Sequence, residues 1–178
     1  GGVYVGGDST FTANSGTIGG DGAGNSAENG GAIYIAASGK VELKGATISY
    51  NVSNTSGGGV ENYGTFEMTS GSVTNNTSGH NGGGVNNSGT LTMTGGTIAN
   101  NIATADGGGV YVEDGGKFTM SGGSISDNTA STSGGGVFVN GAGTFTMSGG
   151  TISGNTANSR AAGGGGVTLN GGTFTMSG

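Results

Sequence analysis

Apolar residues recur along this chain in short alternating runs. Val110–Val112 (VYV) is followed by residues 118–120 (FTM) and then by Ile125, which stands between two serines. Alternation of this kind is typical of a β-strand with one buried face. Glycine clusters separate the runs, so the pattern predicts three short strands joined by tight turns.

The same three runs recur in seven copies. The first apolar residues of the copies are Val3, Ile33, Val60, Val85, Val110, Val137 and Val167, at spacings of 30, 27, 25, 25, 27 and 30 residues. Internal periods in this range are the signature of a solenoid, in which each copy forms one turn. We therefore expect an all-β fold: a single right-handed parallel β-helix (β-solenoid) over residues 1–178, with three short strands per coil and about seven coils of 25–30 residues.

The spacing inside a copy is also regular. The second apolar positions are Phe11, Val41, Phe66, Leu91, Phe118, Phe145 and Phe174. The third apolar position, for example Ile125 after Phe118, follows seven residues later, which predicts a fixed corner. The first and second positions are eight residues apart in four copies, six in the two shortest and seven in the last. The turn between the first two strands is therefore the variable one.

Asparagine recurs at one fixed offset, three residues after the third apolar position. The residues at this offset are Asn51, Asn76, Asn101, Asn128 and Asn155, with Asp21 in the first copy. In a solenoid they lie directly above one another, where a side-chain amide can donate to the next amide and satisfy backbone groups at the bend. Asparagine is common in turns, but five occurrences at one offset predict a structural asparagine ladder.

Composition sharpens this picture. The chain has 178 residues, of which 47 are glycine and 30% are hydrophobic, and it has no proline or cysteine. So much glycine disfavours a compact globule, and collagen would need abundant proline. The formal net charge of −6 argues against nucleic-acid binding through a basic patch. No stretch approaches the roughly 18 apolar residues of a membrane span, so we expect no direct membrane insertion of this segment.

The glycine-rich runs resemble a known repeat family. Residues 30–33 have the sequence GGAI, and residues 57–60, 82–85, 107–110 and 134–137 have the variant GGGV. Together with residues 48–51, 125–128 and 152–155, which are similar to FxxN with Ile in place of Phe, these motifs resemble the repeats of the polymorphic outer membrane proteins. The resemblance implies a right-handed parallel β-helix, exported like an autotransporter passenger to the bacterial cell surface as a stalk or adhesin.

Candidate chemistry is sparse. The ten acidic residues are scattered over the copies, and Glu42 and Glu67, which occupy equivalent positions, are accompanied by Lys40 and Lys44 as surface charge. His80 is the only histidine and has no acid or cysteine nearby in sequence. We therefore predict no catalytic residues, no metal and no cofactor, and hence no enzyme. A carbohydrate-binding or polysaccharide-degrading β-helix stays an alternative.

Threonine pairs flank the second apolar position in four copies. They are Thr10 and Thr12, Thr90 and Thr92, Thr144 and Thr146, and Thr173 and Thr175. A Thr-x-Thr lattice on a flat sheet is similar to the face of ice-binding solenoids, although threonine is also common on the wet side of a strand. Ice binding is therefore an alternative function, interrupted in the other copies by Lys40, Glu42, Glu67 and Lys117.

Aromatic residues mark the outward position of the first strand. Tyr4 and Tyr34 occupy it in adjacent copies, as do Tyr111 and Phe138, so each pair should stack. Exposed aromatic pairs form platforms for sugar rings or another protein, and they also stabilise a sheet. These four residues are the predicted platform for a ligand or partner.

These patterns favour an extracellular structural or adhesive rod. Uncapped coil ends expose unpaired backbone groups, so we expect this array to be a window on a longer chain or to assemble into a filament. The predicted partners are copies of the chain itself, end to end or laterally, or other cell surfaces and their glycans. Nucleic acid is not among them.

Overall fold

The computed structural model describes residues 1–159 and 163–177, and in these residues it contains β-strands and no helix. The strands pair in parallel with their counterparts in the preceding and following coils. Three sheets run along the stack and form its walls. The predicted parallel β-solenoid is confirmed, with three strand layers per coil and six coils that contribute to all three sheets.

Sheet A holds the first strand of each coil. Its strands are Val3–Val5, Ile33–Ile35, Val60–Asn62, Val85–Asn87, Val110–Val112, Val137–Asn140 and Val167–Asn170. They pair in chain order, with Val60 opposite Val85 and Val85 opposite Val110. The apolar position that defines the copies in the sequence is therefore also the position that aligns the coils.

Sheet B holds the second and third apolar positions, which lie on the two sides of a bend. Two long strands, Lys40–Ser49 and Thr65–Thr74, run through the bend, and each of the other coils has a break there. The strands before the break are Thr10–Ala13, Thr90–Met93, Lys117–Met120, Thr144–Met147 and Thr173–Met176; those after it are Thr17–Gly19, Thr97–Ala99, Ser124–Ser126 and Thr151–Ser153. The predicted corner is thus a bend within one sheet.

Sheet C closes the coil with strands of two residues each. They are Ser26–Ala27, Val52–Ser53, Thr77–Ser78, Ile102–Ala103, Thr129–Ala130 and Thr156–Ala157. Each begins directly after an asparagine. A strand of two residues is too short to show an alternating pattern in the sequence. The third wall therefore comes from these residues, and the third apolar position belongs to sheet B.

The core is a set of identical positions stacked along the rod. Phe66, Leu91, Met68 and Met93 are fully buried, as are most first-strand valines. The rings of Phe118 and Phe145 stack with centroids 4.5 Å apart. Because the parallel register sets one inward residue above its equivalent, matching side chains fill the interior coil by coil.

The glycine run before sheet A permits a close approach between coils. A Cβ atom on Gly108 would lie 2.5 Å from the Gly135 carbonyl oxygen, and one on Gly109 would lie 2.6 Å from that of Gly136. These distances are far below van der Waals contact, so no side chain fits there. The middle and last glycines of the run are needed for packing between coils.

The two shortest coils carry a second, shorter asparagine stack. Asn62 and Asn87 point inward at the sheet A position that Ile35 and Val112 fill in the neighbouring coils. Asn62 Nδ2 donates to Asn87 Oδ1 at 2.6 Å, and Gly64 N donates to Asn62 Oδ1 at 3.1 Å. The amides thus bind the backbone of a turn that is two residues shorter than in most coils. The sequence pattern did not predict this stack.

Candidate functional site

The predicted asparagine ladder is present, and four of its five members are fully buried, with Asn155 partly buried. Each Oδ1 accepts from both the backbone N and the Nδ2 of the asparagine one coil earlier: Asn76 N and Nδ2 lie 2.9 and 3.0 Å from Asn101 Oδ1. Asn101 Nδ2 donates in turn to the carbonyl of Val73 and to Asn128 Oδ1, both at 2.9 Å. The same pattern includes Asn51 and Asn155. Such a ladder satisfies backbone groups at a buried corner.

The first coil departs from the predicted ladder. Asn25, and not Asp21, donates to Asn51 Oδ1, through its backbone N at 3.0 Å and its Nδ2 at 2.9 Å. Asp21 is exposed. The assignment of Asp21 is wrong because four extra residues stand between Ile18 and the corner in this coil, so the equivalent position shifts by four.

The threonine pairs lie on the outer face of sheet B but do not form a continuous lattice. Only the pairs at Thr144 and Thr146 and at Thr173 and Thr175 lie in adjacent coils. Between Thr10 and Thr12 and the pair at Thr90 and Thr92, the charged side chains of two coils occupy the face.

Those charges form one ion-pair network. Lys40 Nζ lies 2.9 Å from Glu42 and 3.0 Å from Glu67, and Lys44 Nζ lies 2.7 Å from Glu42. Hydrogen bonds from Lys44, Lys40 and Thr12 lower the pKa of Glu42 to about 2. The acids predicted to be surface charge are thus paired with lysines, and this arrangement is typical of an exposed sheet face.

The outward row of sheet A carries the most varied chemistry of the described residues. Its order along the rod is Tyr4, Tyr34, Glu61, Asn86, Tyr111, Phe138 and Thr168, each opposite the next in the parallel register. An aromatic pair therefore stands on each side of a central carboxyl and amide. This row is the candidate functional site.

A row of three tyrosines forms the exposed end of the site. Tyr4 and Tyr34 stack as predicted, with centroids 5.6 Å apart and rings 14° from parallel, and Tyr63 lies 5.5 Å beyond Tyr34. Tyr4 is 72% exposed and Tyr63 is 45% exposed, while Tyr34 is half-buried. Burial and then the charge of Glu61 raise the pKa of Tyr63 to about 12, so its hydroxyl stays protonated at neutral pH. We define Tyr4, Tyr34 and Tyr63 as the tyrosine row.

Tyr63 was not predicted to belong to this site. It stands one residue beyond its strand, outside the alternating run that singled out Tyr4 and Tyr34. The short turn of this coil brings it back beside Tyr34. The missing signal was the turn length, which is two residues shorter here than in the preceding coil.

The second aromatic pair is stacked but covered. Tyr111 and Phe138 have centroids 5.2 Å apart and rings within 3° of parallel, as predicted, yet each is only 6% exposed. The prediction that Tyr111 and Phe138 belong to an exposed platform is therefore wrong. The glycine run before each strand folds against them: a Cβ on Gly107 would lie 2.8 Å from Tyr111 Cβ, and one on Gly134 would lie 2.7 Å from Phe138 Cβ.

A buried carboxyl and amide occupy the centre of the row. Glu61 is 1% exposed and Asn86 is 2% exposed. Asn86 Nδ2 donates to Glu61 Oε1 at 2.8 Å and to Glu113 Oε1 at 3.3 Å. Burial raises the pKa of Glu61 to about 7; the charge of Glu113 adds to the rise, and the neighbouring Asn86 and Tyr63 oppose it. A buried acid with a shifted pKa is unusual outside functional or specialised structural sites.

Other chemistry is limited in the part of the chain that the structure describes. No group of three or more His, Cys, Asp or Glu side chains is placed to hold a metal ion there. His80 lies exposed in the loop before a glycine run. Over the same residues, no helix is long and apolar enough to cross a membrane.

Comparison with known proteins adds no relative. No protein-family model, curated protein or solved structure matches this chain.

Proposed function

We propose that this chain forms part of an extracellular rod at a bacterial cell surface and that the rod adheres to glycans through the tyrosine row. The GGAI and FxxN motifs support this location, because the family that they resemble is exported. The regular coil stack supports a mechanical role. Each coil adds about 4.8 Å to the rod, and six of the coils are held to their neighbours by sheet hydrogen bonds on three walls.

The observation that carries the adhesive role is the exposure of the tyrosine row. Tyr4, Tyr34 and Tyr63 present adjacent rings at centroid distances of 5.5 and 5.6 Å on a sheet that fixes their spacing. Tyrosine suits sugar recognition, since its ring offers an apolar face and its hydroxyl a hydrogen-bond partner. A rigid row also loses little conformational freedom on binding.

Glycan binding by matched tyrosine variants tests the adhesive role. We expect the purified chain to bind a subset of polysaccharides on a glycan array, and Tyr4→Ala or Tyr63→Ala to weaken that binding about fivefold, the equivalent of a stacked contact worth about 1 kcal/mol. Tyr50→Ala is the control, because Tyr50 is 42% exposed but stands at the corner between sheets B and C.

Equal losses in all three variants, or no binding to any glycan, would contradict the adhesive role. The location has its own test, because antibodies against the rod should label intact cells of the source organism. Labelling that requires permeabilised cells would contradict the surface assignment without bearing on the tyrosine row.

A further inference from the structure

Glu61 and Asn86 leave two buried oxygen atoms without a partner. Asn86 Nδ2 donates to Glu61 Oε1 at 2.8 Å, but Glu61 Oε2 and Asn86 Oδ1 are buried and have no partner in hydrogen-bond geometry. The Tyr63 hydroxyl interacts with the Glu61 carboxyl and lowers its pKa, but it is not in hydrogen-bond geometry with Oε2. Buried polar atoms are nearly always satisfied, so two such atoms on one contacting pair need an explanation. If Glu61 is an ionised carboxylate, Glu61 Oε2 and Asn86 Oδ1 are both hydrogen-bond acceptors, and neither can satisfy the other.

The orientation of the Asn86 amide is fixed by its neighbours. Its nitrogen faces two carboxylate oxygens, Glu61 Oε1 at 2.8 Å and Glu113 Oε1 at 3.3 Å. Turning the amide over would set its oxygen against both carboxylates and lose both hydrogen bonds. The free oxygen of Asn86 is therefore Oδ1. Oδ1 shares a carbon with Nδ2, and Oε2 shares a carbon with Oε1, so the two free oxygens belong to the two groups that the Nδ2–Oε1 contact joins.

Among the residues that the structure describes, no positive charge acts on Glu61. The titratable groups beside it are Tyr34 on the preceding strand, Tyr63 just after its own strand, and Glu113 after the strand Val110–Val112. None of these groups can carry a positive charge. An ionised Glu61 would thus be a buried anion next to another carboxylate, which is a costly arrangement.

We propose that Glu61 is a neutral carboxylic acid in the folded rod and that its Oε2–H donates to Asn86 Oδ1. With the observed Nδ2–Oε1 contact, this closes a cyclic pair of two hydrogen bonds between the acid and the amide. One proton then satisfies both free oxygens, and the second amide hydrogen remains available to Glu113. The rise in the pKa of Glu61 to about 7 agrees with this arrangement.

A neutral Glu61 makes the stability of the folded rod depend on pH. The pKa of Glu61 is raised on folding from 4.5 to about 7, so the folded state holds this proton more tightly than the unfolded state. Stability from this pair is therefore fully present below pH 4.5 and is lost as the pH rises towards and through 7. Between pH 5 and pH 8 the unfolding equilibrium constant should rise roughly 70-fold from this group alone.

The direct test is the ionisation of Glu61 followed by NMR. The side-chain carboxyl carbon of Glu61, assigned by its loss in Glu61→Gln, should titrate with a midpoint near 7 in the folded chain. The carboxyl carbon of Glu42 is the internal control, because lysine partners hold its pKa at about 2 and it stays ionised through this range. A midpoint for Glu61 near 4.5 would overturn the proposal.

Unfolding experiments give a second test. In Glu61→Gln the amide can donate to Asn86 Oδ1 and accept from Nδ2 without titrating, so this variant should lack the roughly 70-fold change between pH 5 and pH 8 that is expected of the original chain. Equal pH dependence of unfolding in both proteins would contradict the proposal that Glu61 is protonated in the folded rod. If added calcium stabilised the original chain but not Glu61→Gln, the free oxygens would instead hold a cation, and the proposal would also fall.

Discussion

Replacing Asn101 by alanine removes the centre of the asparagine ladder. Its side chain takes part in four hydrogen bonds: Oδ1 accepts from Asn76 N and Nδ2, and Nδ2 donates to the carbonyl of Val73 and to Asn128 Oδ1. All four lie between 2.9 and 3.0 Å, and the residue is fully buried. Alanine keeps the backbone conformation but offers none of these contacts.

The expected cost is large for a single substitution. A hydrogen bond contributes about 1 kcal/mol net, and a buried group that loses its partner costs about 1–3 kcal/mol. Asn76 Nδ2 keeps its bond to the Ile48 carbonyl, and Asn128 Oδ1 keeps that from Asn101 N, whereas Asn76 N loses its acceptor. The free energy of unfolding should therefore fall by about 4 kcal/mol.

Urea unfolding followed by far-ultraviolet circular dichroism measures this change. Asn54→Ala is the matched control, because Asn54 is exposed and its amide makes one contact, 3.2 Å from Glu28; we expect it to change stability by less than about 0.5 kcal/mol. Asn101→Asp should also be strongly destabilising, since it keeps an acceptor but loses both donors. If Asn101→Ala were no less stable than Asn54→Ala, the ladder would not hold the corner.

Two further predictions concern the glycine run and the charged network. Gly108→Ala should destabilise the rod by about 3 kcal/mol or more in thermal unfolding, because its Cβ would lie 2.5 Å from a carbonyl oxygen; Gly7→Ala, whose Cβ would have no neighbour nearer than 3.4 Å, should be close to neutral, and similar losses in both would contradict the packing argument. Lys40→Met should leave the urea midpoint nearly unchanged, because its ion pairs are partly exposed to solvent, and a loss that persists in high salt would contradict this.

The coil repeat and its register follow from the sequence because equivalent positions have the same packing environment in each coil. An inward residue such as Phe118 contacts its equivalent, Phe145, so both are chosen for the same surroundings. The ladder is predictable for the same reason, since each asparagine binds the next. In the first coil, four extra residues move the ladder position from Asp21 to Asn25. A prediction from a fixed offset after the third apolar position cannot detect such an insertion.

Sheet C was hidden because two-residue strands show no alternation. Their signal was a small inward residue two positions after each ladder asparagine, as in Ser53, Ser78 and Ala103, all of which are buried. The covering of Tyr111 and Phe138 was hidden for a different reason. Alternation separates inward from outward residues, but it does not show that a glycine run returns across the outer face.

The inward and outward faces of sheet A change character in the same two coils. Asn62 and Asn87 replace apolar inward residues there, and Glu61 and Asn86 replace aromatic outward ones. The short turn explains the inward change, because these asparagines bind its backbone at Gly64 and Gly89. It does not explain a buried carboxyl on the other face, where another aromatic residue would continue the stack between Tyr34 and Tyr111.

The outward change therefore needs a cause of its own. A shared proton supplies one, since it allows Glu61 and Asn86 to be buried together without a charge and makes their burial depend on pH. The tyrosine row ends at this pair, and Tyr63 stands beside Glu61. Ionisation of Glu61 would accordingly disturb the coil that presents Tyr63. Glycan binding should therefore weaken above pH 7 in the original chain but not in Glu61→Gln. Equal pH dependence of binding in both proteins would show that the Glu61–Asn86 pair does not influence the tyrosine row.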